Sequence, residues 1–224
     1  MHNVAMSETA KSTASPPGRN ERRKARTRAG LLASARHLFA NQGVEETTIG
    51  EIAEQADTGV GSFYNYFRTK DDVIAALLEE ELSRELEVLQ GRQAGIQDPA
   101  ERVAVAHRSL LNSVREDFDL GWLFVRLDVT HEVGLAVMRP AALRDLKDGV
   151  KSGRFEVSDV EVAWRASAGA LLGVMQGALR GEIGPTGDAA HAEGVLRSFG
   201  VPPDEAAEIA RRPLPPAGAP ATPE

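Results

Sequence analysis

Residues 47–70 read TTIGEIAEQADTGVGSFYNYFRTK, and two helices joined by a tight turn account for almost every position. Thr48-Ile49-Gly50-Glu51 sets a hydroxyl three residues ahead of a carboxylate, the capping-box pattern that opens a helix. Ile49, Ile52, Ala53 and Ala56 then keep the i, i+3, i+4, i+7 spacing of one buried helical face, which predicts a helix over 48–56. Asp57-Thr58-Gly59 forms a short turn, and residues 60–67 a third helix. Upstream, residues 22–42 place Leu31, Leu32, Ala35, Leu38 and Phe39 on one face, and Asn41-Gln42-Gly43 ends that helix with a glycine suited to a left-handed cap. Downstream, Thr69 is an N-cap followed by Asp71 and Asp72. It starts a long helix at about 71–91, with Ile74, Leu77, Leu78, Leu82, Leu86 and Leu89 on its buried stripe.

Helical periodicity continues to the end of the chain. Aromatics are 5% of the 224 residues, and alternating apolar runs are rare, so strands are not expected. Further helices fall near 99–116, 119–131, 140–152, 158–182, 187–199 and 203–212. Breaks lie at 91–99, Pro140, Gly153, 184–187 and Pro202-Pro203. Residues 1–20 are rich in Ser, Thr and Pro and read as a disordered tail, without the apolar core of a signal peptide. The last twelve residues hold five of the twelve prolines and read likewise. The segment 158–182 is apolar nearly all round. Its uncharged stretch, residues 166–179, falls short of the roughly 20 residues a membrane span needs, so a helix buried on several sides is expected. Gly169, Gly173, Gly177 and Gly181 recur every fourth residue and make a smooth seam for a second helix.

Cysteine is absent, which excludes disulfides, thiolate metal sites and a cysteine nucleophile, and suits a reducing cytoplasm. The net charge of −7 hides an asymmetry. Residues 1–70 carry 10 Lys/Arg against 7 Asp/Glu, a balance of +3, and the remainder carries 16 against 26, a balance of −10. Within 19–28 there are six basic side chains (Arg19, Arg22, Arg23, Lys24, Arg26, Arg28) and one acid, Glu21. A local basic cluster matters more for phosphate contact than the global balance. A solvated charge run gives the same composition.

The third helix raises the first two above a mere shape. Gly59, Gly61 and Ser62 keep its start small, so backbone and helix dipole can approach phosphates or base edges. Ser62, Tyr64, Asn65 and Tyr66 bring hydrogen-bonding groups that a core does not need. Phe63 and Phe67, four apart, pack back on the first helix, and Lys70 lies just beyond. One aromatic anchor face and one small, polar face fit a recognition helix in a major groove. A Tyr-rich surface helix that docks on a partner protein has the same residues.

At these positions the chain resembles the TetR family of transcriptional regulators. The resemblance rests on Thr48, Ile52, Ala53, Ala56, Gly61, Phe63, Tyr64, Tyr66, Phe67, Lys70 and Val73, and on the preceding helix LLASARHLFANQGVEETT. It is dense over about residues 24–78 and only architectural beyond. Asp57, Thr58 and Gly59 depart from the family's usual Gly, Val and Ser. Asp tolerates a left-handed turn, and Gly in place of a Ser N-cap costs about a few tenths of a kcal/mol.

The resemblance implies an all-α fold, with an N-terminal three-helix helix-turn-helix DNA-binding domain (21–70) followed by a larger helical ligand-binding and dimerisation domain (71–212) and a disordered tail (213–224). It implies a cytoplasmic DNA-binding transcriptional regulator: a homodimeric repressor released from a palindromic double-stranded operator by a small-molecule effector. By motif position, Thr48 touches a phosphate, Gly59, Val60, Gly61 and Ser62 lie at base edges, Tyr64, Tyr66 and Lys70 hold phosphates, and Asn65 is near the groove. The basic residues 22–28, Arg26 among them, read as an arm reaching a minor groove or the backbone.

In the larger half, a pocket is expected among the helices from 71 to 182, with His107, Trp122, Arg126, Met138, Trp164 and Met175 as candidate effector contacts. Core packing explains the same residues. The large apolar share favours an apolar or aromatic effector over a sugar or nucleotide. Gly169, Gly173, Gly177 and Leu196 are candidate dimer contacts, in helices that pair with their two-fold copies. His107, His131 and His191 are widely separated in sequence, and no metal helix, nucleophile elbow or phosphate loop is present. No catalytic residue, metal or cofactor is expected, and no membrane association. Three rivals remain: an activator of the same family, a helical small-molecule-binding protein with a vestigial helix-turn-helix, and a protein-interaction module anchored by Tyr64 and Tyr66.

Overall fold

A computed structural model describes residues 18–126 and 132–217, with the backbone alone for residues 126 and 132–135. His131 and most of the two expected tails lie outside the described residues. Every regular element described is a helix: α1 (Arg19–Gln42), α2 (Ile49–Gln55), α3 (Val60–Phe63), α4 (Lys70–Gln93), α5 (Pro99–Glu116), α6 (Phe118–Arg126), α7 (Glu132–Lys151), α8 (Val160–Leu179), α9 (Gly187–Ser198) and α10 (Pro203–Arg211). None is long and apolar enough to cross a membrane.

Local chemistry explains the boundaries. The Thr48 hydroxyl accepts from the Glu51 N–H at 3.2 Å, and the Glu51 carboxylate accepts from the Thr48 N–H at 2.7 Å. Thr69 and Asp72 repeat that reciprocal cap at the start of α4. Asp98 caps α5 ahead of Pro99, whose missing N–H costs nothing in the first turn. Gly43, with φ 94, lets the chain leave α1.

The helix expected over 22–42 begins three residues earlier, at Arg19, so the basic run lies on its first turns, where Arg19, Arg22, Arg23 and Arg26 share one stripe. One expectation is corrected. Pro140 does not break the chain but lies inside α7. Proline there leaves only the residue 136 carbonyl without its helical donor, and Ala136 is exposed, so water can serve that oxygen.

Two apolar clusters organise the molecule. The first unites Leu31, Leu32 and Phe39 of α1, Ile52 of α2, and Phe63 and Phe67 with Leu77, Leu78 and Leu82 of α4, and runs on into Leu111, Leu123, Phe124 and Met175. The second gathers Leu146, Phe155, Trp164, Leu196, Phe199 and Ile209 around α5, α7, α8, α9 and α10. The three N-terminal helices are therefore seated on the larger unit through a shared core. An ionic clamp reinforces the seam. Arg36 of α1 reaches the buried Glu81 of α4 at 3.1 Å and also pairs with Asp117 at the start of α6.

Candidate functional site

The α2–turn–α3 unit has one dry side and one open side. Phe63 is fully buried and Phe67 nearly so, with ring centroids 5.7 Å apart. They fix α3 against α1 and α4. Asp57 takes φ 50, and Thr58 N–H donates to Ala53 O at 2.9 Å, which closes the turn. The regular helix of α3 is short, Val60–Phe63. A further turn continues it, with Tyr66 N–H and Phe67 N–H donating to Phe63 O at 2.9 and 3.1 Å.

The open side carries Gly59, Val60, Gly61, Tyr64 and Asn65, all exposed, with Ser62 half-buried beside them. Val60 is 46% and Tyr64 54% exposed, large apolar surface that no part of the described chain covers. A side chain added at Gly59 or Gly61 would meet no atom within 4 Å. The glycines thus leave the start of α3 bare rather than filling a tight internal gap. Thr48 is exposed beside this face, and the Glu51 carboxyl is held below the usual carboxylate range by the Thr48 N–H and hydroxyl. Arg26 is exposed on α1.

Two expected phosphate ligands stand differently. Tyr66 is half-buried against the first core. The Lys70 ammonium donates to Val44 O at 2.6 Å and to Thr47 O at 3.0 Å. It ties the α1–α2 loop to the start of α4 and does not reach outward. Val44 O also accepts from Thr47 N–H at 3.3 Å, so the ammonium adds a second, charged donor to one carbonyl and bridges it to the other.

In the larger unit a cavity of about 120 Å³ lies between α4, α5, α7 and α8, with Phe124 and Phe199 also on its wall. Four of the six expected effector residues line it: His107, Met138, Trp164 and Met175. Trp122 does not. It sits on another face of α6, edge-on to Phe118 with centroids 6.0 Å apart. The side chain of Arg126 lies outside the described residues. Polar atoms on the wall are few: Gln93, His107, Asp145 and Ser167. Asp145 is held by Arg102 Nε at 2.9 Å, and the Ser167 hydroxyl donates to Trp164 O at 2.9 Å.

Histidines 84 residues apart in sequence meet here. His107 Nδ1 lies 3.0 Å from His191 Nε2. Burial, with a smaller contribution from His191, pushes the His107 pKa down to about 3, and burial lowers that of His191 as well. Spacing gave no sign of this pair, because α5 and α9 are brought together only by tertiary packing.

The expected dimer contacts divide. Gly169 and Gly173 are exposed, in a stripe with Val162, Ala166 and Ala170 along α8, where Val162 is 63% exposed. A Cβ on Gly177 would stand 2.7 Å from Ile183, and Leu196 is 0% exposed within the second core. Those two serve packing inside the chain. The open residues of α9 are Ala190, Gly194, Arg197 and Ser198.

Comparison with known proteins gives this geometry a context. Residues 31–77 match the family described as bacterial regulatory proteins, tetR family, and residues 98–212 match the tetracyclin repressor-like C-terminal domain. The transcriptional regulator TcmR of Streptomyces glaucescens is 33% identical over 106 residues, which cover 47% of this chain and 46% of that protein. HbdR of Aromatoleum sp. (strain CIB) is 30% identical over 103 residues, covering 46% and 43%. The chain thus spans under half the length of these two regulators. Among solved structures, RolR in complex with resorcinol superposes with a TM-score of 0.73 at 36% identity, covering 88% of this chain and 99% of that one. RolR without ligand gives 0.71, covering 85% and 100%.

Proposed function

Since the chain belongs to the TetR family of bacterial transcriptional regulators, we propose that it is a homodimeric repressor that binds a palindromic operator and leaves it when a ring-sized apolar or aromatic molecule fills the cavity. The observation that carries the DNA side is the bare start of α3, where Gly59, Val60, Gly61 and Asn65 stand exposed on a base of buried Phe63 and Phe67. Such a surface comes close to base edges but offers few bidentate readers. Apolar contact, water and DNA shape then supply much of the discrimination. Tyr64, Thr48 and the Arg19/Arg22/Arg23/Arg26 stripe of α1 hold phosphates.

The open stripes of α8 and α9 support the dimer. Small residues on both helices allow close approach, and a two-fold pairing would cover Val162. The size of the cavity and the resorcinol seen with RolR support a one-ring effector. Release follows from α4, which carries Leu82, Leu89 and Gln93 of the cavity wall and is clamped to α1 by Arg36–Glu81. An effector that favours one setting of α4 changes the spacing of the two recognition helices.

The test is genome-wide footprinting of the purified protein, then mobility shifts on the sites found, over a salt series and with single-ring aromatics added. Operator affinity falls steeply with salt and drops when the cavity is filled. Absence of any specific site would sink the proposal. Binding that ignores salt would favour the protein-interaction alternative.

A further inference from the structure

The cavity wall is apolar except at a few points, and His107 differs from the others. Asp145 and Ser167 already have partners in the protein. His107 has Nδ1 on His191 Nε2 at 3.0 Å, with the rings tilted by 52°. Its second nitrogen, Nε2, has no protein partner among the described residues and belongs to a ring that lines the cavity. We infer that His107 is a specificity-determining contact that reads a hydroxyl group on a single-ring aromatic ligand, and that His191 is the positioning residue that holds it. The inference rests on the reading of the cavity as the effector site.

The chemistry of two facing imidazoles sets the ligand class. Each neutral ring carries one N–H and one lone pair. If Nδ1 of His107 donates to His191, Nε2 is an acceptor; if it accepts, Nε2 is a donor. A hydroxyl satisfies either state because it donates and accepts. A methyl group satisfies neither, and an ether only the second. Both rings are held neutral by burial, so a charged carboxylate finds no counter-charge from this pair. Size sets the rest. A cavity of about 120 Å³ is of the same order as the roughly 150 Å³ apolar cavity known to take one benzene ring. Trp164, Phe124, Phe199 and Met175 provide walls for the ring face.

The experiment is calorimetric titration of the full chain with phenol, anisole and toluene, which share one ring and differ at one substituent. Phenol should bind roughly 10-fold or more tighter than toluene, since an unmet buried polar atom carries about that penalty. His107→Leu should bring the two within about twofold of each other while toluene still binds. His191→Asn, whose amide can still meet Nδ1, should keep most of the preference, and His191→Leu should lose part of it. The ¹⁵N resonance of His107 Nε2 in the unaltered protein should move with phenol and stay with toluene. That readout needs no variant to fold. Equal binding of phenol and toluene, an unmoved Nε2, or a preference that survives His107→Leu overturns the role of the pair but leaves the cavity as effector site. Failure of all three rings to bind the folded protein overturns both.

Discussion

The proposed DNA face and the proposed effector cavity are built by opposite means. At the first, the presented groups are exposed, come from residues 48–65 and the first turns of α1, and stand on a few buried rings. At the second, the presented groups line an interior and come from α4, α5, α7 and α8 together with Phe124 and Phe199. An exposed face can change its side chains without unfolding its support. A cavity wall is also core, so almost every change there alters stability as well as binding.

The largest expected effect tests the support itself. Phe63→Ala removes a fully buried ring from the first cluster and should cost about 3–5 kcal/mol, read as a fall in the denaturation midpoint and a loss of DNA binding together. Lys70→Met comes next. Two carbonyls lose a charged donor, so about 2 kcal/mol of stability should go, while the salt dependence of operator binding stays the same. A phosphate ligand would show the reverse pattern.

The cavity side is broken by acid. Above pH 6.5 folded and unfolded chains both hold His107 neutral. Between 6.5 and about 3 the unfolded chain takes up a proton that the folded one refuses, so stability falls as pH falls, by at most about 1.4 kcal/mol per pH unit from this group. Thermal melts from pH 7 to 5 should therefore slope more steeply for the unaltered protein than for His107→Phe. Equal slopes would mean the ring is not held neutral. The smallest effect is Arg26→Ala: melting unchanged within about 0.5 kcal/mol, and a salt slope of operator binding reduced by about one.

This contrast also explains what was legible in the sequence. Caps are local, so Thr48, Thr69 and Gly43 announce their helix ends, and the α2–α3 turn is readable from a dozen residues. Asp57 could be placed in a left-handed turn because few other residues accept one. Lys70 misled for a physical reason: a cation after a recognition helix looks outward until the loop it closes is seen to turn two carbonyls toward it. That the first helix starts at Arg19 and not at residue 22 is marked only by the Glu21 carboxylate accepting from the Gly18 N–H at 2.8 Å, a signal easily missed in a charged run. In the larger unit, helix positions were readable from periodicity, but not which apolar face turns where. Trp122 and Met138 look alike in sequence, and only Met138 reaches the cavity. Leu196 and Gly169 both suit an interface, and only Gly169 is open. The His107–His191 pair needs two helices 84 residues apart to be docked, which no spacing rule reports.

The tether at Lys70 has a use in chemical labelling. Its amine is held by two backbone oxygens and half-buried, whereas Lys24, Lys147 and Lys151 are exposed. An acylating reagent should modify those three quickly and Lys70 only as fast as the junction between the α1–α2 loop and α4 opens. Its rate of modification, followed by mass spectrometry against the other three as internal clocks, is thus a native reporter of local opening where the α1–α2 loop meets α4.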